Sequence, residues 1–168
     1  MNNGRFTLRV DGNTSFATVF KTKSFKEKGF EVISVCPSGS QSIPSTIGSY
    51  YNCITLSNES ISFLPAEQAC MNQGGHLFPV PNGYVNTYIA NLLYVTNYPW
   101  YWIGVSNLMG GVWKSVYDGT DITYTNWAPG EPGNASYPLC VYIYQGGLWY
   151  SRSCYSDNYY YFCGVPEI

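Results

Sequence analysis

The chain has 168 residues, a length that accommodates one domain with an extension but not two full domains. Charged residues make up only 11% of it and the net charge is -2, so neither nucleic acid nor an anionic membrane is a predicted partner. No apolar run is long enough to span a membrane, so no membrane span is predicted. No apolar run follows Met1 either, and we interpret the chain as a mature or truncated product without a signal peptide.

The first 35 residues carry no recognisable motif. Apolar residues alternate with polar ones between Arg5 and Val35, a pattern that predicts two or three strands. The lysines of segment 21–28 are typical of a solvated loop. We therefore predict that residues 1–35 form an N-terminal strand extension of unknown role, either added to the main sheet or left from a separate small domain.

Residues 36–168 show two helical patterns followed by short strands, which predicts an α+β fold. The first predicted helix covers 64–73, with Pro65 at its first position and Gly74-Gly75 after its end. The second covers 83–95, where apolar residues recur at helical spacing. The other predicted segments are a loop at 38–49, strands at 102–105, 140–144, 148–150 and 159–163, and a long irregular loop at 107–136.

The cysteines indicate an oxidising compartment. Six are present, an even number, and none forms a Cys-x-x-Cys pair, so a zinc or redox motif is not indicated. Six bridged thiols allow 15 pairings, and the count alone leaves these open. Three N-glycosylation motifs begin at Asn13, Asn58 and Asn134. Together they predict a secreted, extracellular glycoprotein, against the alternative of a cytosolic protein with reduced cysteines.

From residue 36 to residue 163 the chain resembles the C-type lectin domain family. The resemblance rests on the order and spacing of several short motifs rather than on any one of them. They are the helix Ala66-Glu67-Gln68-Ala69-Cys70 with its exit Gly74-Gly75-His76-Leu77, the strand Trp102-Ile103-Gly104-Val105, Trp113, Asp118-Gly119, the loop segment Tyr124-Thr125-Asn126-Trp127-Ala128-Pro129-Gly130-Glu131-Pro132, and Trp149 ahead of Cys154 and Cys163.

The resemblance implies a disulfide-stapled fold of two helices, short antiparallel sheets and a long irregular loop. It also implies three bridges: Cys36–Cys53, which marks the long form of the family, Cys70–Cys163 and Cys140–Cys154. The chain-entropy model gives about 4–5 kcal/mol for the Cys70–Cys163 bridge, which closes the longest loop, and about 3 kcal/mol for each shorter one.

Members of the resembled family that bind sugar hold Ca²⁺ in the long loop, and this sequence departs from that pattern. Glu131-Pro132 matches the start of the Glu-Pro-Asn triplet, but Gly133 replaces its Asn. Pro138 replaces a second Glu, and Tyr150-Ser151 replaces an Asn-Asp pair. Because Ca²⁺ takes six to eight oxygen ligands, often several carboxylates, the remaining set predicts no tight calcium site and no cofactor. The Glu131-Pro132 bond can be cis and structural.

The sequence therefore predicts a binding module and no enzyme. His76 is the only histidine and is interpreted as a solvated residue, so no Ser-His-Asp arrangement is available. Trp102, Trp113, Trp127 and Trp149 are predicted to be core residues rather than a ligand platform.

We predict that a glycan or protein ligand binds the long-loop face, defined by Glu131, Asn134, Tyr137, Tyr150 and Arg152, because loops on a rigid scaffold carry function. Tyrosines that merely coat a β-surface are the competing interpretation of this region. The alternative functions are Ca²⁺-dependent mannose-type binding and a structural or self-assembling role in an extracellular coat or matrix. The oligomeric state is left open.

Overall fold

A computed structural model of the chain describes residues 34–168. The predicted strands between Arg5 and residue 33, the lysine-containing segment 21–28 and the glycosylation motif at Asn13 lie outside the described residues. Within 34–168 the structure contains two α-helices and eight strands, and no helix of this part is long and apolar enough to cross a bilayer.

The two helices form where the sequence predicts them, with shifted ends. Helix α1 spans Phe63–Met71 and helix α2 spans Gly83–Leu93. Pro65 is the third residue of α1 and not the first, so that prediction was wrong; proline is tolerated there because the first four helical N–H groups have no intrahelical partner. Both helices end two residues earlier than predicted. Asn82 caps α2 by accepting hydrogen bonds from the N–H groups of Tyr84 and Val85.

The eight strands form one sheet in the order β1-β2-β8-β4-β6-β7, with β3 paired to β8 and β5 paired to β4. The bounds are β1 Gln41–Ser42, β2 Cys53–Leu56, β3 His76–Leu77, β4 Trp100–Ser106, β5 Lys114–Ser115, β6 Leu139–Tyr144, β7 Trp149–Ser153 and β8 Tyr160–Val165. Strands β4 and β8 run parallel, and the other pairs are antiparallel. The predicted loop at 38–49 is therefore interrupted by β1, whose partner β2 lies beyond the range of any local signal.

Both faces of the sheet pack against buried side chains. One face, with Tyr101 and Ile103 of β4, contacts the apolar side of α2. The other face, with Trp102, packs against Phe63 and Ala66 of α1. Gly104 permits close packing inside this arrangement, because a Cβ at that position would lie 2.3 Å from the carbonyl oxygen of Leu77.

All six cysteines form disulfides, with the pairing that the resemblance implies. Cys36 is bonded to Cys53, Cys70 to Cys163 and Cys140 to Cys154. The second bridge joins α1 to β8 across 93 positions of sequence and is fully buried. The third joins β6 to the turn after β7 and so fixes the end of the long loop.

His76 is not a solvated residue, and that prediction was wrong. Its Nδ1 lies 2.5 Å from Oε1 of Glu67, and only 29% of its side chain is exposed. The other oxygen of Glu67 accepts a hydrogen bond from the N–H of Leu77 at 2.8 Å. Glu67 of α1 thereby contacts both residues of β3, nine and ten positions further along the chain.

Candidate functional site

The long loop leaves β5 after Ser115 and returns to the sheet at Leu139, and it is attached to the edge strand β7 on the way. The N–H of Trp149 donates to the carbonyl of Asn126, and the N–H of Ala128 donates to the carbonyl of Trp149, both at 2.9 Å. Near its start the loop is closed by an ion pair between Lys114 and Asp121 at 2.6 Å. These contacts hold the segment around Glu131 against the strand that carries Tyr150 and Arg152.

The four tryptophans predicted to be core residues pack into the interior. Trp102 and Trp149 are fully buried, and Trp113 and Trp127 pack against the core while partly exposed. The rings of Trp113, Trp127 and Trp149 follow one another with centroids 4.9 and 5.6 Å apart. This row of rings packs the long loop against the core.

Glu131 lies at the centre of a hydrogen-bonded cluster. Its Oε2 accepts from the N–H of Gly133 at 2.9 Å, from the N–H of Ser151 at 3.0 Å, and from the Ser151 hydroxyl. Its Oε1 accepts from Nη1 of Arg152 at 3.1 Å. Both carboxylate oxygens are therefore engaged by donors of this chain, and only 12% of the side chain is exposed. The Glu131–Pro132 peptide bond is cis, as the sequence allows.

These donors set the charge state of Glu131. Burial by itself raises the pKa of the carboxyl, but the hydrogen bonds from Ser151, Arg152 and Gly133 outweigh it and hold the pKa below its usual value. The carboxylate is thus ionised at neutral pH and neutralised by the guanidinium beside it. The cluster resembles a closed internal contact more than an open ligand site.

The structure brings together three of the five predicted site residues. Glu131 and Arg152 are in contact, and Tyr150 stands two positions before Arg152 on β7 with its ring stacked on Tyr142 at 5.3 Å. Asn134 and Tyr137 are exposed elsewhere in the same loop, and the hydrogen bonds of Glu131 within residues 34–168 do not include them.

Sequence reasoning missed two kinds of residue. In the sequence, Gly133 and Ser151 are only positions where calcium ligands are missing, whereas in the structure they donate hydrogen bonds to Glu131. The sequence groups Tyr142, Tyr144 and Tyr150 as rings able to stack on a sugar, but it does not add Trp100, whose ring contacts that of Tyr144. The ring of Tyr150 contacts those of Tyr142 and Tyr144. The recurrence of tyrosine at 142 and 144, two positions apart and so on one face of a strand, is the available signal.

Residues 59–164 match the Lectin C-type domain family, so the chain belongs to that family. It is 26% identical over 117 residues to a perlucin-like protein of Mytilus galloprovincialis, covering 67% of this chain and 75% of that protein. It is 24% identical over 115 residues to the C-type mannose receptor 2 of Homo sapiens, covering 67% of this chain but only 8% of the receptor.

The fold is also similar to that of a calcium-independent type II antifreeze protein. The TM-score is 0.67 at 24% identity, with 82% of this chain and 99% of the other covered. The chain therefore contains a C-type-lectin-like domain, and the family to which it belongs consists generally of binding modules rather than enzymes.

The Glu131 cluster makes the free energy of unfolding depend on pH. Because the folded-state pKa of Glu131 is lowered, its contribution is present above the unfolded-state pKa and is lost as the pH falls through the folded-state value. Glu131→Gln should therefore lower the free energy of unfolding by about 2 kcal/mol at neutral pH, because it weakens hydrogen bonds to a charged group. The difference between wild type and variant should shrink below about pH 4.

Urea titrations at neutral and acidic pH measure this difference. Glu167→Gln, at an exposed carboxylate near the C-terminus, is the matched control and should change stability by less than about 0.5 kcal/mol. A Glu131→Gln effect that stays constant from neutral to acidic pH contradicts the assignment of the cluster as an ionised carboxylate held by donors.

Proposed function

We propose that this domain is a secreted binding module that recognises a glycan through the long-loop face, without Ca²⁺ at the position that the family uses for sugar. The observation that carries the calcium-independent part of the proposal is that both carboxylate oxygens of Glu131 are already engaged: they accept four hydrogen bonds from Gly133, Ser151 and Arg152. We propose no catalytic role for the domain. A variant of this proposal is that the same face binds a protein, and a glycan screen distinguishes a protein ligand from a glycan.

The oxygen atoms at the positions that the family resemblance assigns to Ca²⁺ ligands do not fit the ion. A calcium ion takes six to eight oxygen ligands, often several of them carboxylates, and here Glu131 is the one carboxylate among the positions that the family resemblance assigns. Pro138 has no side-chain oxygen, and the Ser151 hydroxyl is directed at Glu131. Within residues 34–168 no group of three or more His, Cys, Asp or Glu side chains could hold a metal ion.

The guanidinium of Arg152 supplies the positive charge that a bound cation would otherwise bring to Glu131. It lies 3.1 Å from the carboxylate and donates also to its own strand at the carbonyl of Ser151. The similar type II antifreeze protein, which is described as calcium-independent, supports the view that this fold forms without the ion. The lectin family supports the glycan as the ligand class.

Calcium titration tests this proposal. Adding about 1 mM Ca²⁺ to wild-type protein should leave the melting temperature unchanged, because only an ion that binds the folded state stabilises it. The matched variant Pro138→Glu/Tyr150→Asn/Ser151→Asp restores three of the oxygen ligands that the resemblance assigns, and it should gain a calcium-dependent rise. A rise of several degrees in the wild type contradicts the proposal.

A glycan array, run once with Ca²⁺ and once with EDTA, tests recognition itself. The wild type should give the same pattern in both conditions. Binding that disappears in EDTA would support Ca²⁺-dependent mannose-type recognition instead. An array without any signal would favour a protein ligand.

Export is part of the same proposal. The three disulfides leave no free cysteine among the six, which suits an oxidising compartment. The motif residues Asn58 and Asn134 are both exposed and accessible to glycosylation.

A further inference from the structure

The face of the sheet that carries α1 is covered unevenly. Helix α1 packs on β3, β4 and β8, where Trp102 is buried against Phe63. On the β6 and β7 side of the same face, aromatic rings take the place of a helix. We call these rings the aromatic platform: Trp100, Tyr142, Tyr144, Tyr150 and Tyr159.

Strand register places these rings side by side. Trp100 lies opposite Tyr144, and Tyr142 lies opposite Tyr150, so their side chains share one face. Trp100 and Tyr144 are stacked with centroids 6.0 Å apart, and Tyr142 and Tyr150 are stacked at 5.3 Å. Tyr144 meets Tyr150 edge-on at 6.2 Å, which joins the two pairs. The rings are thus held rigidly by one another and lose little freedom when a ligand binds.

The platform is accessible at its outer end and anchored at its inner end. Trp100 is 41% exposed and Tyr144 is 37% exposed, whereas Tyr142 is buried. Burial raises the pKa of Tyr142 to about 12, despite the opposing effect of the Arg152 charge. Tyr159 packs on Tyr142 at 4.5 Å and closes the inner side.

Within residues 34–168, little net charge faces the platform. The Arg152 guanidinium lies 5.8 Å from the centre of the Tyr142 ring, but it is paired with Glu131. Asp157 is near enough to add to the effect of burial in raising the pKa of Tyr159. The rest of the platform offers apolar ring surface edged by phenol hydroxyls, which both donate and accept hydrogen bonds, and by the indole N–H, which donates.

We propose that the aromatic platform binds successive sugar rings of a neutral oligosaccharide, which extends from the long-loop face across Tyr150 to Tyr144 and Trp100. The inference rests on the proposed function as a glycan-binding module and adds the subsite and the class of glycan. Sugar C–H groups pack against the rings, while sugar hydroxyls pair with the phenol and indole edges. A lipid would leave those polar edges unpaired, and among residues 34–168 an anionic polymer would meet at the platform only the guanidinium of Arg152, which is already paired with Glu131.

Arg152 makes the platform continuous with the long-loop face, because the same side chain contacts Glu131 and lies over Tyr142. Successive rings lie 6.0 Å apart from Trp100 to Tyr144 and 6.2 Å apart from Tyr144 to Tyr150, so a ligand of several sugar rings contacts more of the platform than one sugar does. Affinity should therefore rise from monosaccharide to trisaccharide.

The test uses neutral mono-, di- and trisaccharides of glucose, mannose, galactose and N-acetylglucosamine, titrated in EDTA and again with Ca²⁺ by isothermal titration calorimetry, a readout that does not depend on the indole of Trp100. Trp100→Ala and Tyr144→Ala should each weaken trisaccharide binding about tenfold, the loss expected for an aromatic anchor. Tyr144→Phe, which removes only the hydroxyl, should lose less than Tyr144→Ala. Tyr84→Ala is the matched control, at a tyrosine of α2 that is 77% exposed, and should bind like wild type.

The outcomes separate this proposal from the proposed function. Wild-type binding in EDTA that is lost in both platform variants supports both. Wild-type binding in EDTA that Trp100→Ala and Tyr144→Ala leave unchanged overturns the platform and leaves calcium-independent recognition standing. Binding that requires Ca²⁺ yet falls in the platform variants supports the platform and overturns calcium independence. A wild type that binds none of the sugars in either condition overturns the platform and glycan recognition, and it leaves only the protein-ligand variant of the proposed function standing.

Discussion

Replacing Cys70 and Cys163 together by alanine is expected to lower the free energy of unfolding by about 4–5 kcal/mol. The bridge closes a loop of 93 positions, and the unfolded chain gains the corresponding freedom when it is removed. Alanine is the suitable replacement because both cysteines are buried and a serine hydroxyl would need a partner there. Urea unfolding, with the slope checked for a change in the unfolded state, measures the loss.

Cys140→Ala/Cys154→Ala is the matched control, since it removes a bridge that spans only 14 positions. Its expected cost is about 3 kcal/mol. If the variant without the Cys70–Cys163 bridge folds only at low temperature while the control folds normally, the result agrees with a larger stabilisation by the bridge that closes the longer loop. The loop-closure explanation fails if the two double variants lose the same stability or if the short bridge proves the costlier one.

Those parts of the fold that depend on neighbouring residues could be predicted from the sequence. Helix α2 begins at the predicted residue, because Asn82 caps it with its own side chain and the signal is local. Helix ends were less predictable. Gln73 has helix-compatible neighbours, yet α1 stops at Met71, and the chain turns back through Gly74, whose φ of +81° favours glycine.

Contacts between distant residues required more than local pattern. The six cysteines alone permit 15 pairings, and the family resemblance supplied the one that the structure contains. The contact of His76 with Glu67 had no such guide. A polar residue after a helix exit is usually solvated, and only the path of β3 under α1 brings this histidine to a carboxylate.

The candidate site shows the same division. Pro138, Tyr150 and Ser151 showed that oxygen ligands are missing, because that is a property of residue type. At positions 133 and 151, backbone N–H groups donate to Glu131 where the resembled family has calcium ligands, and the residue type does not report where a backbone N–H is directed. The aromatic platform became visible once strand register placed Tyr144 opposite Trp100.

The position of the long loop depends on a buried polar network centred on Asn86. This side chain of α2 is only 5% exposed. Its Oδ1 accepts from the indole N–H of Trp149 at 2.7 Å, and its Nδ2 donates to the carbonyl of Gly147 at 3.1 Å. Asn126 of the long loop donates to the same carbonyl at 2.7 Å. One amide thereby connects α2, the β6–β7 turn, the long loop and the buried tryptophan under it.

Asn86→Leu is expected to lower the free energy of unfolding by about 3 kcal/mol, because it leaves the buried indole N–H of Trp149 without an acceptor and removes a donor to Gly147. Asn91→Leu, at an exposed position of the same helix, should change stability by less than about 0.5 kcal/mol.

The cause can be isolated in a double-mutant cycle with Trp149→Phe, which has no N–H to leave unpaired. In that background Asn86→Leu should cost at least about 1 kcal/mol less than in the wild type. Urea unfolding of the four proteins gives the coupling energy. Equal costs in both backgrounds would show that the Asn86–Trp149 hydrogen bond does not contribute to stability, and that the loss at Asn86 comes from packing and from the hydrogen bond to Gly147.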